Sequence, residues 1–245
     1  MTKCISFCLY GNNPIYLEKF KKNISFYTKY FINYKIFLFA TENFKNELDC
    51  LNYNNIFSVR YMKEEPGSSG MMWRYIPILE SQADVCFIRD VDYLPTKQEI
   101  QLIEEFINSE YSFHILRAHY DHVMPIMGGL FGIKKNLFED FKIEYTAWKI
   151  KNIDVVYNTD QLFLAKYIYY KIVNKSLIHT SNVAFLNEKY KKFNLNENLL
   201  IGGDIDRHII DQKKINQFRI YPPVWLCNIF NFRYICKLYI STNIN

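Results

Sequence analysis

No CxxC pair occurs in this 245-residue sequence, although it carries six cysteines: Cys4, Cys8, Cys50, Cys86, Cys227 and Cys236. Thiols scattered through apolar surroundings supply neither zinc-site spacing nor a disulfide framework, so reduced, mostly buried cysteines in a cytosolic protein are expected. A P-loop is missing, and the glycine cluster "GGLFG" has the wrong spacing and context for a dinucleotide fingerprint. The histidines include no HxxxH pair, which argues against a zinc hydrolase. No apolar stretch reaches the roughly 18 residues of a spanning helix. "MTKCISFCLYGN" runs straight into a strand pattern without the apolar core and cleavage site of a signal peptide, so a cytoplasmic location is expected. Internal repeats and low-complexity linkers are also lacking, and one domain over 1–245 is expected. The net charge of +5 and pI near 8.7 are too mild and too mixed for a nucleic-acid partner.

What is present is the composition of a packed globular protein, 49% hydrophobic and 22% charged. The 20 tyrosines and 20 phenylalanines read as core filler in a composition rich in Lys, Asn and Ile. After Asp211 there is no acid, while Lys213, Lys214, Arg219, Arg233 and Lys237 lie among Trp225, Phe230, Phe232, Tyr234 and Tyr239. Such a tail suits an anionic membrane surface on the inner face, a diphosphate or polyanionic ligand, or an ordinary terminal helix.

"CISFCLYG", "KIFLFATE" and "IFSVRYM" are short apolar runs, and "PIYLEKFKKNISFYTKYF" between the first two repeats Ile15, Phe20, Ile24 and Tyr27 at helical spacing. Strand, helix, strand in this order predicts an α/β domain with a mainly parallel central sheet flanked by helices. "DVCFIRDVD" reads as a fourth strand, "SFHILRAH" as a fifth and "IMGGLFGIKK" as a sixth. Helices are predicted ahead of the fourth strand, over Met72, Tyr75, Ile76 and Leu79. Another follows Thr96, whose partner Glu99 would complete a capping box, and a third opens at Asn158 or Thr159.

The fourth strand ends on two acids, Asp90 and Asp92, which a continuing strand would turn to one side of the backbone. Like charges so close need a cation between them, and hard oxygen donors at that spacing suit Mn²⁺ or Mg²⁺. Ligands of parallel α/β sheets bind at the carboxyl ends of the strands, which is where these acids arrive. Arg89 and Arg74 are either phosphate ligands or structural ion pairs. Gly128 and Gly129, in an apolar run, mark either a donor sugar lying against the backbone or a tight bend.

Taken together, "MMWRYIPILESQADVCFIRDVD", "FHILRAHYDHVMPIMGGLFGIKK" and "YNTDQLFLAKYIYY" resemble the nucleotide-sugar-dependent glycosyltransferases of the GT-A (Rossmann-like) fold, in a branch found in bacteria and large viruses. The resemblance spans roughly residues 3 to 210. It includes Arg117, His119 and His122 ahead of Pro125 and the Gly128–Gly129 pair, and it departs at Ala118, where the relatives tend to carry Asp. It implies a nucleotide-binding half over about 1–95, an acceptor-binding half over about 96–212 and the basic aromatic tail over about 213–245. The activity it implies is metal-dependent transfer of a sugar from a nucleoside-diphosphate sugar, a UDP-sugar being favoured, to a glycan or other hydroxyl acceptor in surface or viral glycan synthesis.

By the same resemblance Asp92 binds the metal, Asp90 contacts ribose, sugar or the metal shell, and His208 is a further ligand or else an ordinary histidine. Asp160 is either the catalytic base or a helix-capping acid, with Gln161 its neighbour. Inversion follows if Asp160 deprotonates the acceptor, and retention if that face is blocked. Phe7, Leu9, Tyr10 and Gly11 would edge the nucleotide pocket, Tyr10 as a base-stacking ring, with Arg60 and Lys63 facing it. Two other readings keep the fold: a nucleotidyltransferase or nucleotide-sugar hydrolase, and a catalytically silent binding protein.

Overall fold

The computed structural model describes residues 1–51, 56–63, 69–93, 95–119, 122–151, 158–194 and 218–221. The strands are β1 (Lys3–Leu9), β2 (Tyr34–Thr41), β3 (Phe57–Met62), β4 (Val85–Arg89), β5 (Phe113–Arg117), β6 (Leu130–Lys134), β7 (Ser176–Thr180), β8 (Val183–Phe185), β9 (Lys191–Lys192) and β10 (Arg219–Tyr221). The main sheet has the order β3-β2-β1-β4-β6-β5-β7-β9, and a small ladder pairs β8 with β10. Among the described residues only β6 runs antiparallel to its neighbours in the main sheet, so the expected mainly parallel sheet is present.

The two-residue period of a strand sends alternate side chains to opposite faces, and both faces are covered. Ile5, Phe7 and Leu9 of β1 pack against Leu17, Phe20, Ile24 and Tyr27 of helix α1 (Pro14–Tyr30). Cys4 points the other way, into a second core with Tyr75, Ile78, Phe131, Phe141 and Phe163. Helix α1 begins as its sequence dictates: the Asn13 side chain accepts from the Ile15 N–H at 3.1 Å, and Pro14 opens the first turn. Ile15 itself is exposed and Leu17 takes the core position. A five-residue helix, α2 (Lys45–Asp49), follows β2.

The segment before β4 is a 3₁₀ turn over Ser69–Tyr75 that leads into the short helix α3 (Ile76–Leu79). Helix α4 (Lys97–Asn108) starts on Thr96, whose Oγ1 accepts from the Glu99 N–H at 3.2 Å. Further on lie α5 (Phe138–Lys151), α6 (Thr159–Phe163) and α7 (Tyr169–Ile172), the last two joined by a wide π turn over Leu164–Ile168. Among the described residues no helix is long and apolar enough to cross a membrane. Cys4, Cys8 and Cys86 are buried free thiols and Cys50 is an exposed one.

Candidate active site

Strand order reverses between β1 and β4, because β2 and β3 extend from one side of β1 and β4 lies on the other. The carboxyl ends of those two strands diverge there and leave a crevice. A cavity of about 310 Å³ occupies it, lined by Cys8, Leu9 and Tyr10 from the end of β1 and by Asp90, Val91 and Asp92 after β4. Met71 and Arg74 form another wall, and Asn158, Asp160 and Gln161 come from the start of α6.

The two acids reach this place by a route that differs from the expected one. Strand β4 stops at Arg89, and Asp90 to Tyr93 form a turn closed by the Tyr93 N–H on the Asp90 carbonyl at 3.4 Å. Asn23 of α1 pins that turn by donating from Nδ2 to the Val91 carbonyl at 2.7 Å, while Val91 and Tyr93 are buried. Asp90 and Asp92 are therefore not strand neighbours on one face. They nonetheless share a space, since both also line a second cavity of about 150 Å³ with His122 and Gly129.

Arg74 is the buried centre of the site. Its side chain is only 5% exposed, yet Nη1 pairs with Asp90 Oδ1 and Nη2 with Asp160 Oδ2, so one guanidinium joins two acids 70 residues apart in sequence. Burial works against the Arg74 charge, and the pull of Asp90 and Asp160 overcomes it, holding its pKa well above the ordinary value. Asp160 is 4% exposed, and burial pushes its carboxyl up from the usual range despite Arg74, with the Asp90 charge adding to the rise. Asp90 differs from both, because half of its side chain faces solvent.

Gly128 and Gly129 lie in a turn ahead of β6, closed by the Leu130 N–H on the Met127 carbonyl at 3.2 Å, and not inside the strand. A Cβ on Gly128 would overlap the Asp160 carboxylate and sit 3.0 Å from Arg74 Nη2; one on Gly129 would overlap the Asp90 carboxylate. The tight bend is present, and the protein's own pair of acids approaches the backbone here.

Other expectations divide. Tyr10 lines the larger cavity and packs its ring over Gly70, where any side chain would collide with it. Gly11 adopts φ +77° in the turn after β1, and its carbonyl accepts from Thr41 Oγ1 at 3.0 Å and Asn43 Nδ2 at 3.1 Å. Phe7 does not edge the pocket: its ring is fully buried, 5.1 Å from Tyr27 and 5.6 Å from Phe20 between centroids. Arg89 is no phosphate ligand either, because Nε donates to Glu99 at 2.6 Å and Nη1 to the Ile88 and Phe131 carbonyls, all under the sheet. Glu99 is consequently committed to Arg89 and Tyr93 and is not the reciprocal half of a capping box.

Arg60 pairs with Glu80 on the surface at 2.9 Å, and Lys63 lines neither cavity. Asn158 precedes α6 in a left-handed conformation (φ +67°) without a side-chain cap bond, and Thr159 is already inside the helix. His208 lies outside the described residues.

Two further residues line these cavities: His122, which entered the sequence reading only through the resemblance, and Cys8, which carried no site signal. His122 accepts the Ala118 N–H on Nδ1 at 3.1 Å, so its neutral ring carries the proton on Nε2. The Cys8 thiol donates a hydrogen bond to the Met71 carbonyl at 3.5 Å, and burial pushes its pKa up to about 12, which makes it an inert wall.

Among the described residues no group of three or more His, Cys, Asp or Glu side chains is arranged to hold a metal. Asp90 and Asp92 alone supply two hard oxygen donors on a turn, with Gly129 leaving room for the Asp90 carboxylate. That donor set fits a Mn²⁺ or Mg²⁺ ion that fills its shell with water and phosphate oxygens.

No protein-family model and no curated protein matches the chain. Solved structures do match in fold. The glycosyltransferase involved in glycosylation of the major capsid of PBCV-1 is 14% identical with a TM-score of 0.50, over 77% of this chain and 86% of that one. TarS of S. aureus, residues 1–349, is 11% identical with a TM-score of 0.53, over 78% of this chain and 60% of that one. The sheet order and these likenesses define a GT-A fold, the Rossmann-like architecture that the sequence resemblance implied.

Proposed function

We propose that the chain is a metal-dependent glycosyltransferase that moves a sugar from a nucleoside-diphosphate sugar, a UDP-sugar being the first to test, to a hydroxyl acceptor on a glycan. The observation that carries this reading is the convergence of Asp90, Asp92, Arg74 and Asp160 on one cavity at the carboxyl ends of β1 and β4. A nucleoside diphosphate needs a cationic seat for its phosphates and a flat apolar wall for its base. Tyr10, with Leu9 and Met71, supplies the wall beside the acids. Asp90 and Asp92 would hold the divalent cation, whose charge offsets the charge developing on a departing nucleoside diphosphate.

The chain's own residues do the rest. Asp160 is buried with a raised pKa, which favours a group that must take a proton near neutral pH. Arg74 orients it through Nη2, and Gly128 leaves no bulk between the turn and its carboxylate. Gln161, one residue on, lines the cavity as a hydrogen-bonding neighbour. A cytoplasmic enzyme touching an anionic membrane through the basic residues after 213 is part of this proposal, and co-sedimentation with anionic vesicles checks it.

The test is a thermal-shift panel with UDP-, GDP-, CMP- and dTDP-linked sugars, each with and without Mn²⁺, followed by detection of the released nucleotide with acceptor glycans. Ligand bound to the native state raises the melting temperature by mass action. A Mn²⁺-dependent rise with one nucleotide class supports the proposal. No rise with any donor sinks it and favours the silent binding protein.

A further inference from the structure

Asp90, Asp92 and Asp160 line the larger cavity with one guanidinium, that of Arg74, so carboxyl groups outnumber cationic side chains among its lining residues. Arg74 is not shared evenly among them: Nη1 is on Asp90 and Nη2 on Asp160, and Nε, buried, has no hydrogen bond to the described residues. Asp90 is the joint between two roles, since it is both Arg74's partner and one of the two acids fit to hold a divalent ion. A cation on Asp90 Oδ1 would meet Nη1 at the same oxygen, and two positive charges at that separation repel strongly.

We propose that Arg74 is an exchangeable counter-cation: in the ligand-free protein it neutralises Asp90, and a divalent ion gains that carboxylate only by displacing it. The proposal rests on the glycosyltransferase reading and goes beyond it. Displacement frees one edge of the guanidinium, and a diphosphate arriving with the metal is the bidentate acceptor that edge can use. Free Mn²⁺ therefore binds poorly, metal and diphosphate favour each other, and the site selects the metal–diphosphate complex over the bare ion. Glycine at 129 belongs to the device, because a Cβ there would press on the carboxylate that has to change partners.

Removing the guanidinium must then strengthen binding of the bare ion, the opposite of what loss of a ligand or of a fixed structural pair would do. Mn²⁺ is titrated alone into wild type and Arg74→Met, with affinity read by calorimetry or by the free-Mn²⁺ electron paramagnetic resonance signal. The expected result is a gain of at least about tenfold in Arg74→Met, abolished when Asp92→Ala is added. Arg74→Lys, which keeps the charge, stays near wild type.

Equal or weaker Mn²⁺ binding by Arg74→Met overturns the proposal, as does a gain that survives Asp92→Ala. Arg74→Gln replaces the Met variant if a melting curve shows that the latter has not folded. If donors bind wild type with Mn²⁺ but Arg74→Met gains nothing, only this inference falls. If wild type binds Mn²⁺ neither alone nor with any donor, the glycosyltransferase reading falls with it.

Discussion

Arg117 and Arg74 are both buried arginines at strand or turn ends, both paired with acids, and they stand in opposite states. Arg117 is closed: Nη1 and Nη2 grip the Glu188 carboxylate at 2.7 and 2.6 Å, and Nε and Nη2 both donate to the Pro125 carbonyl. Glu188 also accepts from Tyr169 at 2.6 Å and from the Phe185 N–H at 2.9 Å. Burial pushes the Glu188 carboxyl up, but these partners more than cancel it and hold its pKa below the usual range. Asp160 has Arg74 and the Gln161 N–H yet stays raised, because burial and the Asp90 charge outweigh them.

One acid is thus more comfortable ionised inside the protein than outside, and the other less so. The difference separates a clamp from a site. Arg117 ties the loop carrying His122, Gly128 and Gly129 to the turn after β8, whereas Arg74 joins two acids that line a cavity, one of them half exposed.

The largest expected effect comes from opening the clamp. Arg117→Met strands the buried Glu188 charge and costs about 3–5 kcal/mol, visible as a lowered midpoint in urea unfolding. Donor-induced shifts should persist at temperatures where the variant remains folded. Asp160→Asn sharpens the contrast from the other side. It removes a carboxylate that burial disfavours, so at pH 7 stability should hold or rise while sugar transfer is lost. A marked loss of stability would instead make Asp160 a second clamp.

Acid titration divides the two regions further. Burial holds His114 well below its usual 6.5, and His179, bonded to it at 2.9 Å and to Glu105 at 3.2 Å, is also lowered. Below pH 6.5 the unfolded chain takes up protons that these rings refuse, so stability should start to fall there. The Glu188 contribution is present above about 4.5 and is lost only as pH drops through its lower folded value, giving a second, more acidic decline that Glu188→Gln removes. The smallest effect belongs to the exposed Arg60–Glu80 pair: Arg60→Ala should change stability by under about 1 kcal/mol and leave donor binding untouched.

The sheet was legible in the chain because β1 to β6 are short apolar runs bounded by turn formers, and the α/β class follows from their alternation with helices. The acids after β4 were legible for the same reason, since an abrupt end to apolarity marks the carboxyl edge. Their geometry was not: whether a strand continues through Asp90 depends on Asn23, 67 residues away, gripping the Val91 carbonyl. Arg74 and Arg89 looked alike, and only their partners, Asp90 and Asp160 for one and Glu99 for the other, tell a cavity-lining arginine from a core ion pair. Helix α5 and strands β7 to β10 drew no prediction. The apolar residues of α5 do not form one stripe, with Ile143 and Ile150 exposed and Phe138, Phe141 and Trp148 buried, and β9 and β10 are only two and three residues long.

The most direct test of the difference between site and clamp is one melting experiment on wild type, Asp92→Ala and Arg117→Met, each with and without Mn²⁺ and the donor selected by the panel. The account predicts that Asp92→Ala keeps the wild-type melting temperature and loses the donor-induced rise, while Arg117→Met melts lower and keeps the rise. A donor-induced rise that survives Asp92→Ala, or one that disappears only in Arg117→Met, would contradict the assignment of the cavity between β1 and β4 as the active site.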